Sequence, residues 1–364
     1  MDIFPPGSKI GILGGGQNAR MTAMAAARLG YKCHIYCESD DEPALHVADA
    51  HTIASYTDEN ALEKFAPAVD LVTLEWENVP LQSSTIIGKI KPVLPGPHAL
   101  CVAQDRGMEK IFARQHDIPT TAFAMVNSEK QLDDLMKTFS LPAILKPTRM
   151  SYEDVEKIVI TRDFNVSEAW RAMGSESGIL EAFVDFACEV SIIVVRRADG
   201  EMVFYPAVET FHRDHILTKS RAPADIDPAI ANEALSLARS VAEKLEITGL
   251  LAVGMFVLKE PDAKGKRVLL NKIAPRTHSS GHWTIDACAC SQFEQLIRAI
   301  CGLPLGSTEP HSRADMIKLF DKDIDEWAEL LKDSSACLHI YGKADKLKGV
   351  KTGHVTFLKG LWNK

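Results

Sequence analysis

Long apolar runs, paired cysteine motifs and an excess of basic residues are all absent from this 364-residue chain. No stretch approaches the ~18 consecutive apolar residues that a membrane-spanning helix needs, and the opening "MDIFPPGSK" lacks a basic-then-apolar signal pattern. The net charge of −8 argues against non-specific nucleic-acid binding as the main activity. We therefore expect a cytoplasmic protein.

The eight cysteines are scattered along the chain and form no Cys-x-x-Cys pair. A disulfide framework or a zinc site would place cysteines at short, regular spacings, so we expect reduced and mostly buried thiols. The hydrophobic fraction of 46% is sufficient for a sizeable core. At about 150 residues per domain, the length suggests two or three domains.

Apolar runs alternate with helical patterns over the first hundred residues. "KIGILGG" and "KCHIYCE" predict buried strands, and "QNARMTAMAAARLG" between them predicts a helix that ends at Gly30. "DLVTLEWENVP" predicts a third strand after another helix. This alternation predicts a parallel α/β layer, which the proline-rich residues 91–100 bring to an end.

Strands and one long helix follow. "PAILKP" predicts a strand, and residues 178–209 predict three more, with a hairpin turn at Asp199–Gly200. Residues 228–246 predict an amphipathic helix, and strands are expected around Leu250–Leu258 and Val268–Ile273. The apolar face of that helix comprises Ala234, Leu237, Ala238, Val241 and Leu245. Residues after about 300 predict a small unit that ends basic.

A glycine-rich turn follows the first predicted strand. Residues 14–19, "GGGQNA", match the pattern G-x-G-x-x-[GA], and Glu38 ends the next strand, as in dinucleotide-binding folds. There the glycines let backbone N–H groups approach a phosphate at a helix N-terminus. The residues alone leave three interpretations open: an NAD enzyme, a tight turn of any doubly wound sheet, or another phosphate at the same helix end.

Charged residues also follow two other predicted strands. Glu75 and Glu77 lie just past a strand end, where α/β folds bind ligands, although a solvated loop fits equally well. Lys146 ends a strand and can hold a phosphate as a point charge.

The segment "PRTHSSGHWT" brings Arg276, His278 and His282 together after a strand. The two histidines could form a metal pair on a helix, but Pro275 and Gly281 oppose a helix there. We therefore favour an anion- or substrate-binding loop over a metal site.

Taken together, these motifs resemble the N5-carboxyaminoimidazole ribonucleotide synthetase family, ATP-grasp enzymes of purine biosynthesis. The resemblance rests on "GILGGGQNARM", "TLEWENVP", "AQDRGMEKIF", "PAILKP", "ILEAFVDFACEVSIIVVR", "APRTHSSGHWTIDACACSQFEQLIRAICGLPLG" and "HIYGK…KTGH", in order from residue 9 to about 356. It implies an ATP-grasp fold of the α/β and α+β class. The implied domains are a Rossmann-like domain at 1–103, an ATP-grasp domain at 104–300 with subdomains meeting near residue 176, and a small C-terminal domain at 301–364.

The resemblance also implies a reaction. ATP phosphorylates bicarbonate to carboxyphosphate, and the amine of 5-aminoimidazole ribonucleotide takes the carbon dioxide unit, which gives a carbamate, ADP and phosphate. Magnesium is the expected metal, and members of this family are usually homodimers. On this interpretation the N-terminal glycines hold substrate rather than NAD.

Site residues carry over position by position. The ATP-site positions are Arg106, Lys146, Glu181, Val184, Glu189, His212 and Asn271. The positions around substrate and bicarbonate are Gly15, Gln17, Glu75, Tyr152, Arg276 and Lys351. The expected catalytic residues are Arg276, His212 and Tyr152. Cations suit phosphates, the hinge at 181–184 can pair with adenine, and Glu189 can accept from ribose hydroxyls.

Several positions depart from the family pattern. Gly254 and Lys272 stand where the family carries magnesium-binding glutamates, so only Asn271 remains of that set. "SYEDVEK" at 151–157 replaces the glycine loop "GYDGKGQ", and Val350 replaces an expected arginine. We therefore expect no intact metal site and impaired carboxylation. The alternatives are a catalytically dead homologue that binds a ligand or a partner, and an NAD-linked oxidoreductase supported only by the glycine pattern.

Overall fold

The N-terminal part of the molecule is a parallel sheet with helices. The computed structural model describes residues 3–149, 158–161, 164–213, 216–342 and 349–361. The first sheet has five strands in the order β3-β2-β1-β4-β5. They are β1 (Lys9–Leu13), β2 (Lys32–Cys37), β3 (Ala50–Ile53), β4 (Leu71–Leu74) and β5 (Val93–Leu94). The accompanying helices are α1 (Gln17–Arg28), α2 (Glu59–Phe65), α3 (Leu81–Gly88) and α4 (Pro97–Ala103).

The pairing of these strands confirms the predicted parallel layer. Helix α1 ends as expected, since Gly30 has φ +81, a left-handed conformation that favours glycine. The prediction of β4 as the third strand was wrong, because β3 precedes it. The residues of β3 alternate between half-buried and exposed at the sheet edge, so "AHTI" carries too little apolar signal to be recognised.

The second sheet is antiparallel and has four strands in the order β6-β9-β7-β8. They are β6 (Phe123–Val126), β7 (Ala143–Pro147), β8 (Ile158–Ile160) and β9 (Gly178–Ala182). Its helices are α5 (Arg106–Gln115), α6 (Glu129–Met136) and α7 (Val166–Met173). Each begins at a capping side chain: Asp105, Ser128 and Asn165 accept hydrogen bonds from backbone N–H groups of the first turn.

The third sheet has nine strands in the order β15-β14-β10-β12-β13-β16-β18-β17, with β11 paired to β10. They are β10 (Phe186–Arg196), β11 (Met202–Phe204), β12 (Val208–Arg213), β13 (Ile216–Ala222), β14 (Gly249–Leu258), β15 (Val268–Ala274), β16 (Ser312–Phe320), β17 (Ala336–Ile340) and β18 (Lys351–Leu361). The remaining helices are α8 (Pro228–Lys244), α9 (Thr284–Ala287), α10 (Gln292–Ile300) and α11 (Trp327–Leu330).

Two local predictions in this sheet are confirmed. Strands β10 and β11 form a hairpin whose turn contains Gly200, with φ +92. The predicted apolar face of α8 is buried along its length and packs in the core cluster that contains β10, β14 and β15.

The C-terminal strands belong to the same sheet as the centre of the molecule. Strand β16 pairs antiparallel with β13. The sheet therefore contains strands from both sides of the boundary predicted at residue 301. The predicted domain boundaries stay a prediction. The cysteines are unpaired, as expected. Within the described ranges, no helix is both long and apolar enough to cross a membrane.

Candidate functional site

A cleft lies on the central sheet, where β10, β12, β14 and β15 run side by side. Glu189 on β10 is held from two directions: His212 Nδ1 lies 3.3 Å from its Oε1, and Asn271 Nδ2 donates to its Oε2 at 3.3 Å. The lining residues are Glu189, Val190, Ser191, Thr210, His212, Leu217, Ala252, Gly254, Asn271, Lys272, Ala274 and His278. The structure thus brings three predicted ATP-site residues into contact.

Other predicted ATP-site residues lie at the edge of the second sheet. Lys146 Nζ is 3.0 Å from Glu181 Oε2, and both side chains are largely buried. Burial raises the pKa of Glu181, but Lys110 and Lys146 outweigh it and hold this pKa below its usual value. Arg106 Nη1 donates to the Pro147 carbonyl at 2.7 Å, which fixes the guanidinium beside this pair.

Val184 lies between β9 and β10, in the segment predicted to be a hinge. It lines a cavity of about 420 Å³, together with Thr120, Phe183 and Lys259 among others. This cavity adjoins the strand end that carries Glu181. The adenine-binding role of this segment stays a prediction.

The metal positions of the family do not fit magnesium here. Gly254 and Lys272 are direct cross-strand partners in the cleft wall. Glycine has no side chain and the lysine side chain ends in an amine, so neither offers a side-chain oxygen to a metal. Mg²⁺ requires near-octahedral oxygen ligands at about 2.0–2.1 Å. Among the described residues, one group of His, Cys, Asp or Glu side chains is close enough to share a metal, at Asp286, His339 and His354, and these do not line the cleft.

The glycine-rich turn is filled by a carboxylate of the chain itself. Glu75 accepts hydrogen bonds from the backbone N–H groups of Gly16 at 2.7 Å and Asn18 at 3.1 Å, at the N-terminus of α1. Any Cβ at Gly16 would collide with this carboxylate, which explains the glycine. Burial outweighs these hydrogen bonds, which favour the charged carboxylate, so the pKa of Glu75 is raised. The solvated-loop interpretation of this segment was therefore wrong.

The remaining N-terminal residues also have partners within the protein. Glu38 accepts from Ser55 Oγ at 2.9 Å and from the Tyr56 backbone N–H at 3.0 Å. Gly15 is buried beneath Glu42, because a Cβ there would lie 2.6 Å from the Cβ of Glu42. Gln17, the first residue of α1, is half-buried. The dinucleotide pattern is thus occupied by internal contacts.

Arg276 forms an ion pair that links the first and third sheets. Its Nε donates to Glu77 Oε2, and its Nη2 donates to Glu77 Oε1 at 2.9 Å. Burial raises the pKa of Glu77, but Arg276 outweighs it and the pKa is lowered. Burial likewise opposes the charge of Arg276, and Glu77 more than compensates, so the pKa of Arg276 is raised. Sequence reasoning missed this pair because its members are 199 positions apart.

A buried lysine on the C-terminal strands was also missed. Lys318 is 6% exposed and lies opposite His354 in the β16–β18 ladder. In the described part of the chain, its ammonium has no hydrogen-bond or ion-pair partner. Burial lowers its pKa well below the usual value, and the nearby charges of Lys351, Lys272 and Arg276 add to this effect. "ADMIKLF" is typical of an ordinary strand, so no sequence signal marks this lysine as buried.

The remaining predicted site residues are Lys351, Tyr152 and the two histidines of the loop after β15. Lys351 begins β18 and is half-buried. Tyr152 and the segment 151–157 lie outside the described residues. His278 and His282 flank a single 3-10 turn, Ser279–Gly281, rather than a helix. Burial, together with neighbouring lysines and Arg276 in the case of His278, lowers the pKa of both, so both rings are neutral at pH 7. The assigned roles stay predictions.

Sequence comparison matches three consecutive families along the chain. Residues 8–104 match the ribonucleotide synthetase preATP-grasp domain, 111–293 the ATP-grasp domain, and 311–361 the phosphoribosylaminoimidazole carboxylase C-terminal domain. The chain is 41% identical, over 97% of its length, to the bifunctional purine synthesis protein purC/E of Dictyostelium discoideum, of which it spans 37%. It is 40% identical to the N5-carboxyaminoimidazole ribonucleotide synthase of Brucella melitensis, over 97% of each protein.

Solved structures agree with these relatives. An ADP complex of an N5-carboxyaminoimidazole ribonucleotide synthetase superposes with a TM-score of 0.93 at 36% identity, covering 99% of this chain and 94% of that one. The Aspergillus clavatus synthase, in complex with ADP and 5-aminoimidazole ribonucleotide, superposes with a TM-score of 0.89 at 29% identity, covering 98% and 95%. The expected ATP-grasp fold is therefore confirmed, and the chain belongs to the N5-carboxyaminoimidazole ribonucleotide synthase family.

Proposed function

We propose that this chain binds ATP and 5-aminoimidazole ribonucleotide in the cleft, and that its ATP- and bicarbonate-dependent carboxylation is strongly impaired. Support for the ligands comes from the relatives, which are named for this ribonucleotide or solved with it and ADP. One observation carries the proposal: His212 and Asn271 hold Glu189 in the cleft, beside Gly254 and Lys272. The nucleotide-positioning side chains are present next to a lost metal site.

The ATP-site residues have complementary tasks in this proposal. Arg106 and Lys146 bring positive charge to the phosphates, because both are fixed at the end of β7. The backbone near Val184 pairs with adenine, and Glu189 accepts hydrogen bonds from ribose hydroxyls. Glu181 keeps the Lys146 ammonium in place.

The substrate side uses the fixed charge of Arg276. Its guanidinium is held by Glu77, so it meets the reacting anion without reorganising. The further residues assigned to substrate and catalysis are Gly15, Gln17, Glu75, Tyr152, His212 and Lys351. In the family magnesium would supply Lewis acidity to the phosphoryl group, and no described residue of this cleft replaces that chemistry.

The assembly and the compartment are proposed from the family resemblance of the sequence. We expect a cytoplasmic homodimer with domains at 1–103, 104–300 and 301–364, the middle one divided near residue 176. The three consecutive family matches support these boundaries.

The test is ADP release with 5-aminoimidazole ribonucleotide, bicarbonate and Mg²⁺, with the Brucella melitensis synthase as positive control. We expect turnover far below the usual enzyme median of about 10 per second. Turnover near that value would show that impairment is wrong. Titration with ATP and with the ribonucleotide tests binding separately. If neither binds, the second candidate is favoured, a dead homologue that acts through a partner, which the losses at Gly254 and Lys272 also suggest.

A further inference from the structure

Gly254 and Lys272 form one structural unit rather than two separate losses. They face each other across the β14–β15 ladder. A Cβ added at Gly254 would lie 3.4 Å from Lys272 Cγ and 3.5 Å from the Lys272 carbonyl oxygen. The lysine stem therefore lies against the glycine. A side chain at position 254 would share the space next to this stem.

The charged end of Lys272 is directed into the cleft region. The residue is exposed and lines the same wall as Glu189, His212 and Asn271. Within the described ranges, its ammonium makes no hydrogen bond and no ion pair. The surrounding protein lowers its pKa through desolvation, and Glu77 is the strongest opposing charge. The cleft therefore contains a cation whose three N–H donors are available to a ligand.

An ammonium and a magnesium ion treat polyphosphate differently. Both attract phosphate oxygens, but an ammonium donates hydrogen bonds to them as a compact point charge, whereas magnesium coordinates them in an octahedral shell that retains several waters. The ammonium also repels a divalent cation nearby. A cleft with a built-in ammonium is therefore complementary to the more negative, metal-free form of a nucleotide.

We propose that Lys272 takes the place of the divalent cation, so that this chain binds the polyphosphate of an adenine nucleotide in its metal-free form. This inference rests on the proposed function, since it requires that the cleft accepts the nucleotide. It goes further, because it names the charge form of the ligand and the residue that selects it. Gly254 faces the lysine stem across the ladder.

The experiment is isothermal titration of the full chain with ATP, in EDTA and in excess Mg²⁺, with AMP as a ligand that lacks the β- and γ-phosphates. We expect ATP to bind in EDTA at least as tightly as in Mg²⁺. Lys272→Met should weaken metal-free ATP binding about tenfold or more, as expected for a lost charge-assisted hydrogen bond. AMP binding should change little. Lys264→Met is the matched control, because Lys264 is exposed on the turn that joins the same two strands.

Repair variants test the same idea in reverse. Gly254→Glu alone should pair with Lys272 and lower metal-free affinity without creating magnesium dependence. Gly254→Glu combined with Lys272→Glu should make ATP binding stronger in Mg²⁺, and a Cβ introduced at position 254 fits because 3.4 Å is an ordinary contact. Circular dichroism checks that each variant is folded.

The outcomes separate the two proposals. If ATP binds and Mg²⁺ strengthens wild-type binding threefold or more, the inference about Lys272 fails while the proposed function stands. The inference also fails if Lys272→Met binds metal-free ATP like wild type, or if the double variant shows no magnesium dependence. If ATP binds under neither condition, both proposals fail.

Discussion

Replacing Arg276 by methionine should lower the free energy of unfolding by about 3 kcal/mol. Arg276 and Glu77 are joined by two hydrogen bonds, and only 17% and 20% of their side chains are exposed. Removal of one partner from a buried pair costs about 3–5 kcal/mol, because the other charge stays buried and unpaired. Because both side chains keep some exposure to solvent, we expect a cost at the lower end of this range. The measurement is urea unfolding followed by tryptophan fluorescence.

A double-mutant cycle separates pairing from the loss of either side chain. Arg276→Met and Glu77→Gln should each destabilise, and the double variant should be more stable than the sum of the two losses predicts, by about 1–3 kcal/mol. Lys137→Met is the control, since Lys137 pairs with Asp133 at 2.8 Å and with Asp134 at 3.0 Å at the exposed end of α6. Those surface pairs should contribute much less to stability. Additive effects at Arg276 and Glu77 would refute the coupling.

The pH dependence gives a second test of the same pair. Arg276 holds the pKa of Glu77 below its usual value, so this stabilisation is present above the unfolded pKa and disappears as the pH falls through the folded one. In Arg276→Met, burial is opposed only by a backbone hydrogen bond and the charge of Lys272, so the pKa of Glu77 should rise. The penalty of the substitution should therefore shrink between pH 7 and pH 4. A penalty that does not change with pH would contradict this account.

Three further substitutions test other features of the structure. Gly16→Ala should destabilise by about 1–3 kcal/mol in urea unfolding, because its Cβ meets the Glu75 carboxylate, whereas Gly88→Ala, with open space around it, should not. Lys318→Met should raise stability at pH 7 by about 1–3 kcal/mol. It should also remove an increase of stability with pH, since between the lowered folded pKa of Lys318 and about 10.4 the unfolded state binds more protons; an unchanged pH profile would show that the pKa of Lys318 is not lowered. Burial raises the pKa of Glu109 to about 7, so stability should fall as the pH rises from about 4.3 to 7, by on the order of 2–3 kcal/mol. Glu109→Gln should remove this decrease of stability with pH, and a wild-type-like decrease in the variant would show that another group causes it.

Local signals predicted the elements whose causes are local. The face of α8 follows from the helical repeat of Ala234, Leu237 and Val241, all buried. The β10–β11 turn follows from the conformational freedom of Gly200. Strand β3 escaped prediction because a half-exposed edge strand carries little apolar periodicity.

The contacts of the site join residues that are far apart in the sequence, and the resemblance predicted only some of them. Sequence resemblance selected Glu189, His212 and Asn271 together, and the structure brings them into contact. It could not show that Glu75 fills the helix N-terminus of α1, or that Glu77 pairs with Arg276, since both contacts join distant parts of the chain. Nor could it reveal Lys318, whose burial depends on the packing of β16 against β18.

The continuity of the central sheet across residue 301 bears on proteolysis and truncation. A chain cut before β16 would leave β13 without its partner from Lys219 to Ala222, and so expose an unpaired strand edge. Such edges recruit strands from other molecules. The C-terminal strands thus cover the β13 edge and prevent such association. Amide protons on β13 and β16 should exchange with solvent together, as one cooperative unit.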